Sequence, residues 1–150
     1  MEFVVESVNI SETKGVQKHP VEKIELRTGH GIEGDAHAGN WHRQVSFLAG
    51  EAVDRMKDIL KKGGSDLVLD HGAFAENIVT RGVDWKTMKP GARIKVNHVE
   101  LEITQIGKEC HSGCAISVAA GDCIMPKEGI FAKVLQDGTI RPGDKGEVSE

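Results

Sequence analysis

The sequence has few aromatic residues and no excess of positive charge. Aromatic side chains make up 4% of the 150 residues, as four Phe and two Trp with no Tyr, and the formal net charge is −4. Surfaces that bind nucleic acid gather Lys and Arg against phosphates and use aromatic rings to stack bases. The composition therefore argues against a nucleic-acid partner.

Long apolar runs and paired cysteines are also missing. No stretch approaches the ~20 apolar residues that cross a bilayer, and residues 1–6 do not begin a signal peptide. Three cysteines crowded between 110 and 123 are a poor disulfide framework. We therefore expect a cytoplasmic protein that avoids membranes and keeps its thiols for reactivity or metal binding. The length predicts a single domain over 1–150.

The hydrophobic residues mostly form short runs at strand spacing. Strands are predicted over 2–10, 21–27, 92–96, 99–106 and a closing segment, 139–148, bent at Pro142-Gly143-Asp144. Asn97-His98 predicts a two-residue hairpin turn. The run 129–135 fits either a strand or a short helix, because periodicity does not separate the two at this length.

One segment, 50–62, has a clear helical period. Its apolar stripe consists of Ala52, Val53, Met56, Ile59 and Leu60. Gly63-Gly64 follows as a stop signal. Together the patterns predict a mostly-β, barrel-like domain with one amphipathic helix at about 50–62 and short accessory helices.

The segment 29–44, GHGIEGDAHAGNWHRQ, combines glycines with hydrogen-bonding side chains. Asp35, His37 and Arg43 suit a polar or anionic ligand, and a glycine such as Gly34 lets backbone approach that ligand closely. A surface loop with solvated histidines explains the same residues, so both interpretations stay open.

A second polar site is the pair Glu76-Asn77, which interrupts an otherwise apolar strand predicted over 72–78. The pair fits a ligand site. It also fits an outward-facing glutamate beside an asparagine that is bonded to nearby backbone.

The cysteine segment 106–114, IGKECHSGC, follows the end of a predicted strand. Lys108 and His111 flank Cys110, and neighbouring cations raise the thiolate fraction of a cysteine. Cys110 is therefore a candidate nucleophile or metal ligand, whereas Cys114 and Cys123 fit buried cysteines better. Structural zinc usually requires four ligands in paired short spacings, and the second pair is missing.

Several motifs in a fixed order resemble the MOSC family, named for the C-terminal domain of molybdenum cofactor sulfurase. They are G-I-E-G-D-A-H-A-G (31–39), W-H-R-Q-V-S (41–46), A-E-N-I (75–78), P-G-A-R-I (90–94), the Cys110 segment, and G-I-F-A-K-V-L with D-G-T-I-R-P-G-D within 129–144. The likeness covers nearly the whole chain. The sequence lacks the pyridoxal-dependent desulfurase half of the full sulfurase and the N-terminal β domain of several cofactor-binding reductases. We therefore expect its activity to depend on a partner.

The resemblance implies a β-rich, partly barrel-like fold and a cysteine that carries sulfur as a persulfide or ligates molybdenum. By its position after the strand, that cysteine is Cys110. The family's polar motif positions, which are expected to line one pocket, correspond to Asp35, His37, Arg43, Glu76 and Asn77. We also expect the 29–44 loop and the Cys110 loop to converge on that pocket.

Our leading hypothesis is a pyridoxal phosphate-independent sulfur-carrier or cofactor-binding domain for molybdenum cofactor (molybdopterin). Cys110 would accept sulfur from a cysteine desulfurase or ligate molybdenum through its soft thiolate. Arg43, Lys108 and His111 would attract the anionic cofactor, and His37 with Asp35 would orient it or move a proton. The expected partners are the cofactor, its biosynthetic or acceptor proteins, and the desulfurase.

Two alternatives stay open. One is a molybdenum-dependent reductase of N-hydroxylated compounds, which would need a partner electron donor because the sequence has no Rossmann fingerprint or iron–sulfur pattern. The other is a small zinc-binding interaction module, in which Cys123 or His37 would complete the ligand set of Cys110 and Cys114.

Overall fold

The computed structural model describes residues 1–107 and 128–150. These ranges contain eleven strands, the helix α1 (Gly50–Lys62) and a 3₁₀ turn (Trp85–Thr87). The strands are β1 (Glu2–Ile10), β2 (His19–Val21), β3 (Ile24–Arg27), β4 (Gly31–Ile32), β5 (Val45–Ala49), β6 (Ile78–Arg81), β7 (Arg93–Val96), β8 (Val99–Ile106), β9 (Ile130–Gln136), β10 (Gly138–Ile140) and β11 (Lys145–Ser149).

Seven strands form a closed barrel, as the sequence predicted. Their order is β11-β7-β8-β9-β5-β6-β1, and pairing of β11 with β1 closes the ring. Strand β2 extends the sheet from β1, and β10, β3 and β4 form a separate three-stranded sheet. Among these pairings only β5 and β6 run parallel, with α1 as the connection between them. Within the described ranges, the structure thus confirms a mostly-β fold with one clear helix.

Alternation along the barrel strands creates two apolar cores. In β5, Val45 and Phe47 belong to the core inside the barrel, while Leu48 packs with α1 outside it. In β9, Ile130 faces the barrel core and Phe131 faces the outer one. Because successive side chains of a strand point to opposite faces, residues next to Val45 and Phe47 are directed out of the barrel.

The helix begins and ends where the sequence predicted, but one residue of the predicted apolar stripe is not buried. Residues Ala52, Val53, Met56 and Leu60 are buried, whereas Ile59 is 49% exposed. The prediction for Ile59 was wrong because this residue lies at the margin of the stripe, outside the arc that faces β5. Gly63 caps the helix, and Gly64 follows with a φ of 75°.

The predicted strand over 72–78 is also wrong, because β6 begins only at Ile78. The preceding residues form a turn in which Gly72 has a φ of 92° and Ala75 a φ of 60°. A strand requires extended backbone, so this left-handed geometry excludes one there. Glu76 and Asn77 belong to this turn rather than to a strand.

The other predicted strands are present, but several of them begin or end at different residues than predicted. Val96 pairs with Val99, and Asn97 has a φ of 55°, which confirms the two-residue hairpin turn. The ambiguous run 129–135 is a strand, β9, held between β5 and β8. The closing segment 139–148 divides into β10 and β11, which belong to different sheets. Similarly, only 24–27 of the predicted strand 21–27 form β3.

The described chain stops after β8 and resumes before β9. At this point the backbone N–H of Gly107 donates to the carbonyl of Gly129 at 2.6 Å. The exit and the return of the chain are therefore neighbours on the barrel. Within residues 1–107 and 128–150, no helix has the length and apolarity to cross a membrane.

Candidate functional site

A small cavity lies on the outer face of the barrel, where β5 and β9 pair. Its volume is about 90 Å³, and its walls are His37, Trp41, Arg43, Ser46, Ala75, Asn77 and Phe131. Ser46 and Phe131 are directly paired across the two strands. The glycine-rich segment 29–44 and the turn 71–77 meet above this pair, so two polar stretches distant in sequence share one site.

Arg43 is held in this cavity by aromatic rings. Its guanidinium carbon lies 4.7 Å from the centroid of Trp41 and 5.6 Å from that of Phe131. The Trp41 indole N–H donates to the His37 carbonyl at 2.8 Å, which fixes the ring on which Arg43 rests. Cation–π contacts orient a guanidinium without neutralising it.

The hydrogen-bonding capacity of Arg43 is not used within the described part of the chain. Its Nε is buried and makes no hydrogen bond, and Arg43 forms no salt bridge to a described carboxylate. A buried donor without an acceptor costs free energy, typically ~1–3 kcal/mol. Such a donor, in a cavity wall and on a full positive charge, suits an anionic ligand.

Beside the cavity lies a buried ion pair. The Nζ of Lys18 lies 2.7 Å from Oδ1 of Asp35, and both side chains are 0% exposed. Asp35 also accepts the backbone N–H of Ser11 at Oδ1 and that of His37 at Oδ2. Its carboxylate is therefore committed to holding the loop together. Asp35 does not line the cavity, so any effect of this residue on a ligand passes through its neighbours.

Lys18 also links the pair to the cavity wall. Its Nζ lies 2.9 Å from Nδ1 of His37 and 3.2 Å from Oγ of Ser11. The backbone of Lys18 is seated on Gly72, since its N–H donates to the Gly72 carbonyl at 2.9 Å. A Cβ at Gly72 would lie 2.1 Å from the Lys18 carbonyl oxygen, so only glycine fits there.

Asn77 and Glu76 play different parts. Asn77 lines the cavity, and its side chain accepts the backbone N–H of Ser46 and donates to the Asn9 carbonyl, joining β5 to β1. Glu76 is 1% exposed and accepts the N–H groups of Gly72 and Phe74, which stabilises the turn. Burial raises the pKa of Glu76 above its ordinary value, against the lowering effect of these hydrogen bonds.

Ala75 contributes strain to the same wall. Its φ of 60° is left-handed, a conformation that costs a residue with a Cβ roughly 1–2 kcal/mol. Its N–H donates to the Gly72 carbonyl at 2.9 Å, so the turn enforces this backbone. Strained positions of this kind concentrate at ligand sites, which agrees with the location of Ala75 in the cavity.

Of the sequence-predicted site residues, the structure brings His37, Arg43 and Asn77 together around the cavity. Asp35 and Glu76 are buried outside its walls. Gly34 is exposed, with a φ of 81° and open space around its Cα, so it shapes a turn. The remaining predicted site residues lie outside the described ranges, and they are Lys108, Cys110 and His111. Cys114 and Cys123 lie outside them as well.

Sequence reasoning missed Lys18, Ser46, Ala75 and Phe131. Lys18 carries no local signal, because a lysine in a polar loop is normally solvated. Phe131 and Ser46 read as ordinary strand residues. Trp41 had a usable signal, since it is one of two Trp residues and stands within the polar glycine-rich segment.

A larger groove of about 550 Å³ lies at the seam of β1 and β11. Its cationic side chains, Arg81, Lys95 and Lys145, share the walls with Glu2 and Glu147. None of the predicted site residues lines it, so we do not take it as the functional site. In the described ranges, no cluster of three His, Cys, Asp or Glu side chains suits a metal ion.

Comparisons with known proteins agree with this fold. A family model described as "MOSC domain" matches residues 34–147. A comparison with curated proteins finds no match to the sequence. Among solved structures, the YuaD protein from Bacillus subtilis is similar with a TM-score of 0.76 and 22% identity, covering 99% of this chain and 96% of that one.

Two YiiM structures are also similar. The protein from Escherichia coli has a TM-score of 0.67 and 16% identity, with 100% of this chain and 70% of that one covered. The protein from Geobacillus stearothermophilus has a TM-score of 0.69 and 18% identity, with 99% and 75% covered. At these identities, the likeness shows a shared fold.

Proposed function

The chain belongs to the MOSC domain family, and on this premise we propose that it binds the anionic end of molybdenum cofactor at the Arg43 cavity and uses Cys110 as its reactive thiol. The observation that carries the proposal is the state of Arg43. Its guanidinium is oriented by Trp41 and Phe131, yet it forms no salt bridge with a described carboxylate. A phosphate is a suitable partner, because the planar fork of an arginine matches its oxygens.

The size of the cavity defines which part of the cofactor it suits. About 90 Å³ accommodates an oxyanion, whereas pockets that enclose whole drug-sized ligands measure ~300–1,000 Å³. We therefore assign only the anionic group to the cavity. When bound, the cofactor supplies molybdenum, for which the soft thiolate of a cysteine is a suitable ligand.

The path of the chain supports a role for Cys110 near this cavity. His42, which follows Trp41, lies 2.8 Å from the side-chain oxygen of Gln105 through its Nε2. The amide nitrogen of Gln105 donates to the Gly107 carbonyl at 2.7 Å. Cys110 is three residues beyond Gly107, and three residues span at most ~10 Å. Gly107, from which the sequence continues to Cys110, therefore lies at the end of the barrel that carries the Trp41–Arg43 wall.

As a sulfur carrier, the chain would use thiol chemistry that requires no oxidant. The Cys110 thiolate attacks the terminal sulfur of a persulfide on a cysteine desulfurase. A new S–S bond forms on Cys110 while the S–S bond of the donor breaks, and the donor cysteine leaves as a thiolate. The number of disulfide-type bonds is unchanged.

Replacing Arg43 tests the cofactor site. Arg43→Ala is expected to weaken binding of molybdenum cofactor, titrated anaerobically, by roughly ten- to a hundred-fold, because one charged hydrogen bond contributes ~1.5–3 kcal/mol. Arg81→Ala is the matched control, since Arg81 already binds Glu6 and Asp54. Equal affinities in wild type and the folded Arg43 variant would refute the assignment of the cavity.

The sulfur chemistry has a separate measurement. After incubation with a cysteine desulfurase and cysteine, the peptide containing Cys110 is expected to gain the mass of one sulfur atom. Cys110→Ser should abolish this gain, and Cys123→Ser should leave it unchanged. An unmodified Cys110 would refute sulfur carriage. Turnover of an N-hydroxylated purine by the cofactor-loaded protein with an electron donor would favour the reductase hypothesis instead.

A further inference from the structure

Lys18 is placed so that every proton of its ammonium group has one acceptor. Oδ1 of Asp35 lies at 2.7 Å, Nδ1 of His37 at 2.9 Å and Oγ of Ser11 at 3.2 Å from Nζ. The side chain is 0% exposed, so water does not compete for these protons. A lysine ammonium has three donors and no acceptor. The three contacts therefore account for its full capacity.

This geometry determines the protonation of one nitrogen of His37. Because Lys18 donates to Nδ1, that nitrogen must accept, and it carries no proton. A neutral imidazole has one donor and one acceptor nitrogen. Its single proton then resides on Nε2, the nitrogen on the far side of the ring from Lys18.

The two other protonation states conflict with the surroundings. A proton on Nδ1 would require Lys18 to be a neutral amine, which would remove the ion pair with the Asp35 carboxylate at 2.7 Å. An imidazolium would direct an N–H at the Lys18 ammonium across 2.9 Å, with two positive charges in contact. The first state loses the buried ion pair, the second loses the Lys18–His37 hydrogen bond, and the Nε2–H tautomer keeps both.

We propose that Lys18 is a positioning residue that fixes His37 as the neutral Nε2–H tautomer, so that Nε2 of His37 is a hydrogen-bond donor. His37 and Arg43 are walls of the same cavity, so a neutral donor and a cationic donor would act on one oxyanion. The role toward an oxyanion rests on the function proposed above, whereas the tautomer does not.

The backbone restricts this arrangement further. His37 is anchored by its N–H to Asp35 and by its carbonyl to Trp41, at 3.2 and 2.8 Å. Lys18 is anchored on Gly72, within the turn that also supplies Ala75 to the cavity. The backbone of His37 is thus held by the segment 29–44, and the backbone of Lys18 is held by the turn 71–77. The contact between the two side chains depends on both anchors.

The tautomer can be measured directly by long-range ¹H–¹⁵N correlation of the seven histidines in labelled protein at neutral pH. The His37 signals are assigned by their loss in His37→Gln. Wild-type protein is expected to show an unprotonated, pyridine-type Nδ1 and a protonated Nε2 at His37. Lys18→Met, which removes the ammonium and keeps an unbranched chain, is expected to lose this pattern in favour of the Nδ1–H tautomer or an exchanging mixture.

Lys14→Met is the matched control. It makes the same substitution in the same loop, and Lys14 lies over the Trp41 ring rather than at Nδ1 of His37, so the His37 pattern should stay as in wild type. If Lys18→Met does not fold, Lys18→Met combined with Asp35→Asn removes both buried charges and still removes the donor to Nδ1. The same change of tautomer is expected there.

The outcomes separate this inference from the proposed function. A proton on Nδ1 in wild type, or an unchanged His37 pattern in a folded Lys18 variant, would overturn the inference whatever the protein binds. A titration with inorganic phosphate tests the role toward the cavity. Lys18→Met should weaken phosphate binding several-fold, while Lys14→Met should not. Absence of phosphate and cofactor binding in wild type would refute the proposed function and leave the tautomer assignment intact.

Discussion

Lys18 and Asp35 form an ion pair with both side chains 0% exposed, whereas Arg81 binds Glu6 and Asp54 where the three side chains are 38%, 28% and 53% exposed. Water and salt screen the surface group, so its members contribute little individually. In the buried pair, each charge depends on the other because neither can be solvated. Oppositely charged side chains therefore have different importance in the two regions. Each member of the surface group is dispensable for stability, whereas each member of the buried pair beside the cavity is required.

The two arginines extend this comparison. Hydrogen bonds from Arg81 to Asp54 and Glu6 raise the pKa of its guanidinium and neutralise its charge locally. Arg43 is oriented only by aromatic rings among the described residues. Its charge is thus held in place while its donors stay available. The contrast distinguishes a structural arginine from one suited to a ligand.

Removing a carboxylate from each region should give the largest difference. Asp35→Asn leaves the Lys18 ammonium buried without a counter-charge, and we expect a loss of ~3–5 kcal/mol in the free energy of unfolding. Asp54→Asn is the control and should cost less than ~1 kcal/mol, because Arg81 keeps Glu6. Urea unfolding at constant m-value measures both changes. Similar losses in the two variants would remove the distinction between the regions.

A smaller effect is expected from the ring under Arg43. Trp41→Ala removes the nearer of its two aromatic contacts, and a cation–π contact contributes ~0.5–2 kcal/mol. We therefore expect phosphate affinity to fall about two- to thirty-fold, as measured by titration calorimetry. Lys14→Ala controls for the other cation near this ring, at 5.5 Å. An unchanged affinity in Trp41→Ala would mean that the ring does not orient Arg43.

The smallest effect is on the pH dependence of stability, where two glutamates should act with opposite sign. Burial raises the pKa of Glu6, but hydrogen bonds from Arg81 and His71 outweigh this effect and lower it below 4.5. The contribution of Glu6 is therefore present above pH 4.5 and is lost as pH falls through the lowered value. Glu6→Gln should flatten the acid side of the stability curve by less than ~1 kcal/mol.

Glu76 provides the opposing case, because burial raises its pKa above 4.5. Its contribution is present below pH 4.5 and is lost as pH rises through the raised value. Glu76→Gln should therefore remove a decrease in stability on the neutral side, whatever its overall cost to the turn. Urea midpoints across pH 3–7 measure both slopes, and slopes of equal sign would contradict the assignment.

The parts of the fold that were predictable from the sequence depend on local signals. Helix α1 was bounded correctly because its apolar period and its glycine stop lie within fifteen residues. The hairpin at Asn97 was equally local. Closure of the barrel through β1 and β11 joins the two ends of the chain. No local pattern specifies that register, and the strand pattern and the family resemblance suggested only that the fold is barrel-like.

The candidate site was predictable where polar side chains stand out from the residues around them, as for His37 and Arg43 among glycines and for Asn77 after an apolar run. Lys18 was missed because its burial results from the Gly72 contact, more than fifty residues away. Glu76 and Asn77 were placed in a strand because alanine gives no signal of left-handed backbone, and Ala75 adopts it. Packing between residues distant in sequence determines the structure at these positions, and the residue types alone do not reveal that packing.

The hydrogen bond between Gly107 and Gly129 has a consequence for how such a protein can change over evolution. The barrel itself holds Gly107 and Gly129 together, whatever sequence joins them. The entropy of closing a flexible connection grows only logarithmically with its length, and doubling that length costs ~0.6 kcal/mol. We therefore expect the barrel to tolerate insertions and sequence replacements between these two glycines. The cysteine-bearing segment can thus diversify while the scaffold is inherited unchanged.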